Sequence, residues 1–165
     1  MFRFFRLFKE QYLGFWSLGL ALFAIQELPY MVMPLFKLEA NPIMNMKESS
    51  AALDVAEKIL GSLCIALIIF IVHKESKLFS IADGREKLFF ILTVSVLLNF
   101  IGWAVYFAGH QSVFVMMFFI VLMPPLYYVC IGLWRNNVIL AVTGGIFLIV
   151  HFVHVWGNLR LENSL

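Results

Sequence analysis

Charge is scarce in this sequence. Only 13% of the 165 residues are charged, against about 25% in an average soluble domain, while 62% belong to the apolar set. The net charge of +2 leaves no basic surface for nucleic acid, and so apolar a composition is not typical of disorder. Together with a mean hydropathy of +0.92, this excludes an ordinary water-soluble protein and indicates an integral membrane protein.

Common catalytic motifs are also absent. There is no Gly-x-Ser-x-Gly, no phosphate-binding loop, no Gly-x-Gly-x-x-Gly and no Cys-x-x-Cys. The two cysteines, Cys64 and Cys130, fall at different depths of predicted spans, so we expect two buried thiols and no disulfide. We expect no cofactor, and an enzyme is not the favoured class, although a membrane enzyme using one acid and one histidine stays an alternative.

What the sequence does have is long apolar runs. A helix that crosses the hydrocarbon core needs about 20 mostly apolar residues, and five stretches approach that length: 12–36, 55–72, 88–108, 113–133 and 138–157. The second stretch begins among the charges of Asp54, Glu57 and Lys58, so a re-entrant segment is its alternative. The prediction is an all-α fold, with residues 1–165 forming a single bundle of five transmembrane helices.

The distribution of basic residues predicts the orientation, because short cytoplasmic loops collect Lys and Arg. Five spans place eight basic residues on one side and four on the other, with the termini on opposite faces. We therefore predict an N-terminus inside and a C-terminus outside, in the plasma membrane of a bacterium. The eight basic residues predicted inside are Arg3, Arg6, Lys9, Lys74, Lys77, Arg85, Lys87 and Arg135.

Aromatic residues mark the predicted interfaces. The N-terminal phenylalanines alternate with basic residues, which is typical of an amphipathic turn at the lipid surface and, more simply, of an orientation anchor. Tryptophan favours the same interfaces, so we expect an interfacial belt that contains Trp16, Trp103, Trp134 and Trp156.

Polar side chains within spans are the candidate ligand-binding residues. Inserting an ionisable group into the membrane there costs about 2.5 to 3.5 kcal/mol of free energy. Such a group therefore needs a partner side chain, a water-filled cavity or a functional role. By helical rise, Glu27, His151 and His154 share one depth in the outer half of the bilayer, and the two histidines lie on one helix face. With Gln26 beside Glu27 and Asn99 somewhat deeper, we expect a polar cavity among spans one, three and five.

Prolines in two spans predict that some backbone carbonyls near this cavity lack a helical hydrogen bond. Each removes a backbone hydrogen bond, so Pro29 and Pro34 should kink span one beside Glu27, and Pro124 and Pro125 should kink span four. Such a broken backbone is tolerated in a membrane only where it faces protein or water.

Two interpretations of Glu27 are open. It is either a functional group of the cavity or a structural partner of His151 or His154 that fixes helix packing. We expect no metal, because the histidines are spaced i, i+3 rather than the i, i+4 usual in helical zinc sites.

Small residues in span five form a further candidate surface. Ala141, Gly144 and Gly145 allow close approach of another helix, most often within the same bundle. They also give weak support for a homodimer or for a membrane-protein partner.

Parts of this sequence resemble two protein families. The segment Pro124 to Asn137, with a histidine-bearing last span, resembles small bacterial multi-pass membrane proteins of uncharacterised function. About 160 residues in five spans resembles the tryptophan-rich sensory protein family, and Leu98-Asn99-Phe100 with Trp103 and Tyr106-Phe107 is similar to its third span. That resemblance implies a five-helix bundle that binds tetrapyrroles or sterol-like ligands. The family's Trp-x-Pro-Pro loop has no counterpart in residues 37–50, so no binding residue is carried over.

The sequence thus predicts a small membrane protein in the lipid bilayer that binds, or helps to transport, a small apolar or lipid-like ligand. In this interpretation Glu27 serves the ligand and the two histidines respond to protons. The alternative is an accessory or structural subunit of a larger membrane complex.

Overall fold

The computed structural model describes residues 2–36, 38, 40–74 and 84–162, and these are mostly helical. In chain order the helices are α1 (Ser17–Val32), α2 (Pro42–Asn45), α3 (Ala51–Phe70), α4 (Glu86–Phe107), α5 (Met123–Trp134) and α6 (Val138–Glu162). A 3-10 turn, Met33–Leu35, follows α1, and a π-helical segment, Val115–Val121, precedes α5. The predicted predominance of helix is confirmed.

Within the described residues, four helical segments are long and apolar enough to cross a membrane. They are Ser17–Leu35, Glu86–Phe107, Val115–Trp134 and Val138–Leu161. The segment predicted as span two is also helical, as α3, but its first two turns carry Asp54, Glu57 and Lys58. The helices therefore agree with the predicted spans to within a few residues at most ends, apart from the start of span one.

The first span was predicted to begin at residue 12, and this is wrong. Strands β1 (Phe2–Phe8) and β2 (Gln11–Phe15) form an antiparallel hairpin instead, and β3 (Ile71–His73) pairs with β2 in the order β1-β2-β3. A Cβ at Gly14 would lie 2.2 Å from the carbonyl oxygen of Phe2, so the close strand approach requires glycine there. The expected N-terminal amphipathic turn is thus the exposed edge strand of a small sheet.

The prolines of spans one and four have different effects on their helices. Helix α1 continues through Pro29 and gives way to the 3-10 turn one residue before Pro34. Pro124 and Pro125 lie in the first turn of α5, which follows the π-helical segment without a break, so their missing N–H groups leave carbonyls of that segment without a helical partner. The π-helical segment immediately before them is the backbone irregularity that the double proline predicts.

The helices enclose two clusters of buried apolar side chains. One joins α3, α5 and the start of α6 around Cys64, Tyr127 and Trp134, and the other joins α4 to the π-helical segment around Trp103. Both cysteines are buried and free. Three of the four tryptophans expected in an interfacial belt are buried in the protein. Trp16, Trp103 and Trp134 are at most 3% exposed and pack against other rings or against Arg135.

Candidate functional site

Glu57 of α3 holds both histidines of α6. Its Oε2 lies 2.6 Å from Nδ1 of His154, and its Oε1 lies 3.2 Å from Nδ1 of His151, without the alignment of a hydrogen bond. The histidines share one helix face, as their spacing predicts. The acid that they meet is Glu57, whereas the sequence pointed to Glu27.

A chain of hydrogen bonds continues from His154. The Oδ1 atom of Asn158 accepts the backbone N–H of Ser49 at 2.8 Å, so its Nδ2 must donate to Nε2 of His154, 3.2 Å away. Nε2 is then an acceptor, and the imidazole proton is on Nδ1, where it is donated to Glu57. In this arrangement His154 is a satisfied structural residue that ties the end of α6 to the start of α3.

Glu27 faces a cavity that it shares with His151. The cavity has a volume of about 160 Å³. The hydroxyl of Tyr128 donates a hydrogen bond to the Glu27 carboxylate. Apart from these three side chains, the cavity is lined by Tyr30, Gly61, Ile65, Pro124 and Phe147. We call it the Glu27 cavity.

The position of the Glu27 cavity corrects the expected arrangement of spans. Its lining residues come from α1, α3, α5 and α6, whereas the sequence placed the cavity among spans one, three and five. Span three, which is α4, contributes none of them. Helix α3, the segment predicted with least support, instead contributes Gly61 and Ile65 to the wall.

Gln26 and Asn99 form a second polar cluster, which does not line that cavity. Both side chains are fully buried, and Gln26 Nε2 donates to Asn99 Oδ1 at 3.0 Å. Asn99 Nδ2 donates in turn to the carbonyl oxygen of Phe119 at 2.9 Å. The five predicted ligand-binding residues are therefore divided between two places, and only Glu27 and His151 line a common cavity.

The double proline explains why Asn99 is needed. Pro124 has no N–H to offer the carbonyls of Phe119 and Ile120, which lie five and four residues earlier. Asn99 satisfies the first, and the Tyr30 hydroxyl donates to the second at 3.3 Å. The predicted broken backbone is thus present in span four, and it is repaired by side chains of α4 and α1.

The small residues of α6 do not all lie on one packing surface. A Cβ at Gly144 would lie 3.1 Å from the backbone nitrogen of Val129, and Gly132 of α5 lies directly against Ala141. Gly145 has nothing within 4 Å of an added Cβ. Ala141 and Gly144 therefore pack inside the chain, and only Gly145 faces outward.

Basic residues gather at the opposite end of the bundle. Arg85 donates to the carbonyl oxygen of Trp134 at 2.8 Å and to Oδ1 of Asn136 at 2.5 Å. Arg135 lies over the rings of Trp16 and Trp134, and its burial, together with the nearby charge of Arg85, lowers its pKa. This cluster anchors the turn between α5 and α6.

Sequence reasoning missed Glu57 as a partner of the histidines. In the sequence it stands out as a charge at the start of span two, near the positive end of that helix, and not as a partner of a histidine. A signal was present, because a carboxylate two turns into an apolar helix needs a partner as much as Glu27 does. Asn158 was a second signal in the sequence. It lies four residues after His154, on the same face of α6, and could therefore be expected to bond to it.

Metal binding gains no support from this geometry. Among the described residues, no group of three or more His, Cys, Asp or Glu side chains is arranged to hold a metal ion. Glu57 and His154 contact each other directly at hydrogen-bond distance.

Comparison with known proteins adds no relative. No protein family, no curated protein and no solved structure matches this chain. The two family resemblances remain predictions, and the functional argument depends on the geometry of the site.

Proposed function

We propose that this protein binds, or helps to transport, a small or lipid-like ligand in the Glu27 cavity. The proposal is carried by one observation: Glu27 and His151 line the same cavity. Three of the four helices around it belong to segments that are apolar enough to span a membrane. Glu57 and Asn158 are the partners of His154, whereas Nδ1 of His151 lies 3.2 Å from the same Glu57 carboxylate without the alignment of a hydrogen bond. A carboxylate and an imidazole kept at such a cost are typical of a binding or proton-relay site.

The lining of the cavity indicates the class of ligand. Glu27, His151 and Tyr128 offer a charge and hydrogen bonds on one side, and Ile65 and Phe147 offer an apolar wall. This favours an amphipathic molecule whose donor or cationic group meets Glu27. A volume of about 160 Å³ lies below the 300–1,000 Å³ usual for drug-sized ligands, so the site suits a small molecule or one end of a longer one.

We also propose that α3 crosses the membrane as a fifth span. Its 20 residues measure about 30 Å, which equals the thickness of the hydrocarbon core. Its charges have partners, because Lys58 pairs with Asp54 at 2.6 Å and Glu57 meets the histidines. Five spans give an N-terminus inside and a C-terminus outside, and the basic end of the bundle would then face the cytoplasm of a bacterial cell.

Native mass spectrometry tests the ligand proposal. The protein is extracted gently from its own membrane as wild type, Glu27→Gln and Gly61→Val, the last of which places methyl groups in the cavity wall. We expect a defined small molecule or lipid on the wild type that both variants lose. Gly145→Val is the matched control, because it adds the same group at an open position and should retain the ligand.

The same experiment separates the alternative function. The outward-facing Gly145 and its exposed neighbours Ile146 and Ile149 are where an accessory subunit would contact a larger complex. A stoichiometric protein partner that Gly145→Val releases and Glu27→Gln retains would favour the accessory subunit. A wild type with no retained ligand, or a ligand unaffected by both cavity variants, would contradict the binding proposal.

A further inference from the structure

The charges around the Glu27 cavity do not balance. Two carboxylates lie there, because Glu27 lines the cavity and Glu57 has its Oε1 atom 3.2 Å from Nδ1 of His151. His154 is neutral, since its Nε2 accepts a hydrogen bond from Asn158. Even a protonated His151 would therefore leave one negative charge without a counter-charge.

No basic side chain of the described residues supplies the missing charge. Within them Glu57 pairs with the two histidines only, and Glu27 forms no ion pair. Lys58, which follows Glu57 in the sequence, is largely exposed and pairs with Asp54 at 2.6 Å. Since an isolated carboxylate is costly in a membrane, Glu27 needs either a proton or a cation from outside the chain.

The polar groups of the cavity are within reach of a ligand. Glu27 is partly exposed, and the side chain of His151 is 16% exposed. Nδ1 of His151 is enclosed beside Glu57, so Nε2 is the ring nitrogen left to the cavity, and no described residue forms a hydrogen bond with it. When His151 is neutral with its proton on Nδ1, Nε2 is an acceptor. A ligand at this place thus meets two acceptors, of which one is charged.

The rest of the cavity wall is mainly apolar, and the space is small. Ile65, Pro124 and Phe147 contribute to this wall, and a Cβ added at Gly61 would lie 3.4 Å from Cζ of Phe147. The volume of about 160 Å³ is similar to that of an apolar cavity of about 150 Å³ that accommodates benzene. The cavity therefore suits a group of about six non-hydrogen atoms, most of them carbon.

From these observations we infer that the ligand of the Glu27 cavity is a small primary alkylammonium ion, an inference that rests on the function proposed for this cavity. The ammonium supplies the counter-charge and donates one N–H to Glu27 and another to Nε2 of His151. The alkyl group lies against Ile65 and Phe147. A proton on Glu27 would also remove the charge, but it would provide no donor for Nε2.

Calorimetric titration with cyclopentylammonium tests this inference. The whole protein is placed in nanodiscs of a zwitterionic lipid, so that the membrane does not attract the cation, and empty nanodiscs serve as the blank. Cyclopentanol is the matched ligand, because it has the same carbon ring and no charge. We expect the wild type to bind the ammonium about tenfold more tightly than the alcohol, since hydrogen bonds to a carboxylate are stronger when the donor is charged.

Variants of the protein place the binding in the cavity. Glu27→Gln keeps the shape of the side chain and removes its charge, so it should weaken ammonium binding about tenfold and change alcohol binding little. Gly61→Val narrows the space beside Phe147 and should weaken the binding of both ligands. Gly145→Val, at an open position of α6, is the control and should bind both as the wild type does. If Glu27→Gln folds poorly, His151→Phe keeps a ring, removes Nε2 and should also weaken ammonium binding.

The outcomes separate this inference from the proposed function. Equal affinity of the wild type for the two ligands, or no binding of either, would overturn the inference. An ammonium affinity that Glu27→Gln and His151→Phe leave unchanged would overturn it as well. If the wild type extracted from its membrane retains a molecule that Glu27→Gln loses, but cyclopentylammonium does not bind, the proposed function stands and the ligand belongs to another class.

Discussion

Glu57 and His154 are 97 residues apart in sequence, and their side chains meet at 2.6 Å. The contact joins the charged first half of α3 to the last turns of α6. Since the His154 side chain is only 6% exposed, the carboxylate has a buried and oriented partner in place of water. The charged first half of α3 is thereby held against α6.

The first prediction concerns the stability that this contact provides. Glu57→Leu removes the acceptor of His154 and leaves a buried N–H unpaired, so we expect the free energy of unfolding to fall by about 1–3 kcal/mol. Glu57→Gln keeps an oxygen that can accept the same proton, and its loss should be smaller. Thermal unfolding in detergent measures both, with the exposed Glu48→Leu as control. An unfolding midpoint in Glu57→Leu equal to that of the control would show that the contact does not stabilise the fold.

The second prediction links Asn99 to the double proline. Asn99→Leu leaves the carbonyl of Phe119 without its donor, at an expected cost of about 1–3 kcal/mol. Pro124→Ala restores a backbone N–H four and five residues after the two affected carbonyls. A double-mutant cycle should therefore show that Asn99→Leu costs less in the Pro124→Ala background. Strict additivity of the two changes would mean that Asn99 does not compensate for the proline.

The third prediction contrasts two adjacent glycines. A side chain at Gly144 meets the backbone of Val129 at 3.1 Å, whereas one at Gly145 meets open space. We expect Gly144→Leu to force α6 away from α5 and to destabilise the protein by about 1–3 kcal/mol. Gly145→Leu, the matched control, should change the unfolding midpoint little. If both variants unfold alike, α6 does not pack on α5 through this face.

The fourth prediction concerns the number of spans. If α3 crosses the membrane together with the four other candidate spans, five crossings place the two termini on opposite sides, whereas four crossings without α3 would place them on the same side. A compartment-sensitive reporter fused to either terminus in bacterial cells should be cytoplasmic at the N-terminus and external at the C-terminus. Reporters on the same side would show that α3 does not cross.

Hydropathy was sufficient to predict most of the helices. The predicted span 88–108 corresponds to Glu86–Phe107, and the fifth begins at Val138 as predicted. This success has a simple cause, because the length of an apolar run and the charges at its ends are local properties of the chain. The N-terminal strand was missed because a run rich in Phe and Leu satisfies a hydropathy count equally well as helix or strand.

The composition and order of the residues thus determined the helices and the polar groups within them, and they predict a shared depth for Glu27, His151 and His154. Only the tertiary structure decided which of those groups meet. Depth follows from the rise per residue along one helix, but contact depends on the rotation of each helix about its axis, and packing against neighbours sets that rotation. Hence Glu57 meets the two histidines, Glu27 lines a cavity with only one of them, and Gln26 and Asn99 turn toward the broken backbone before α5.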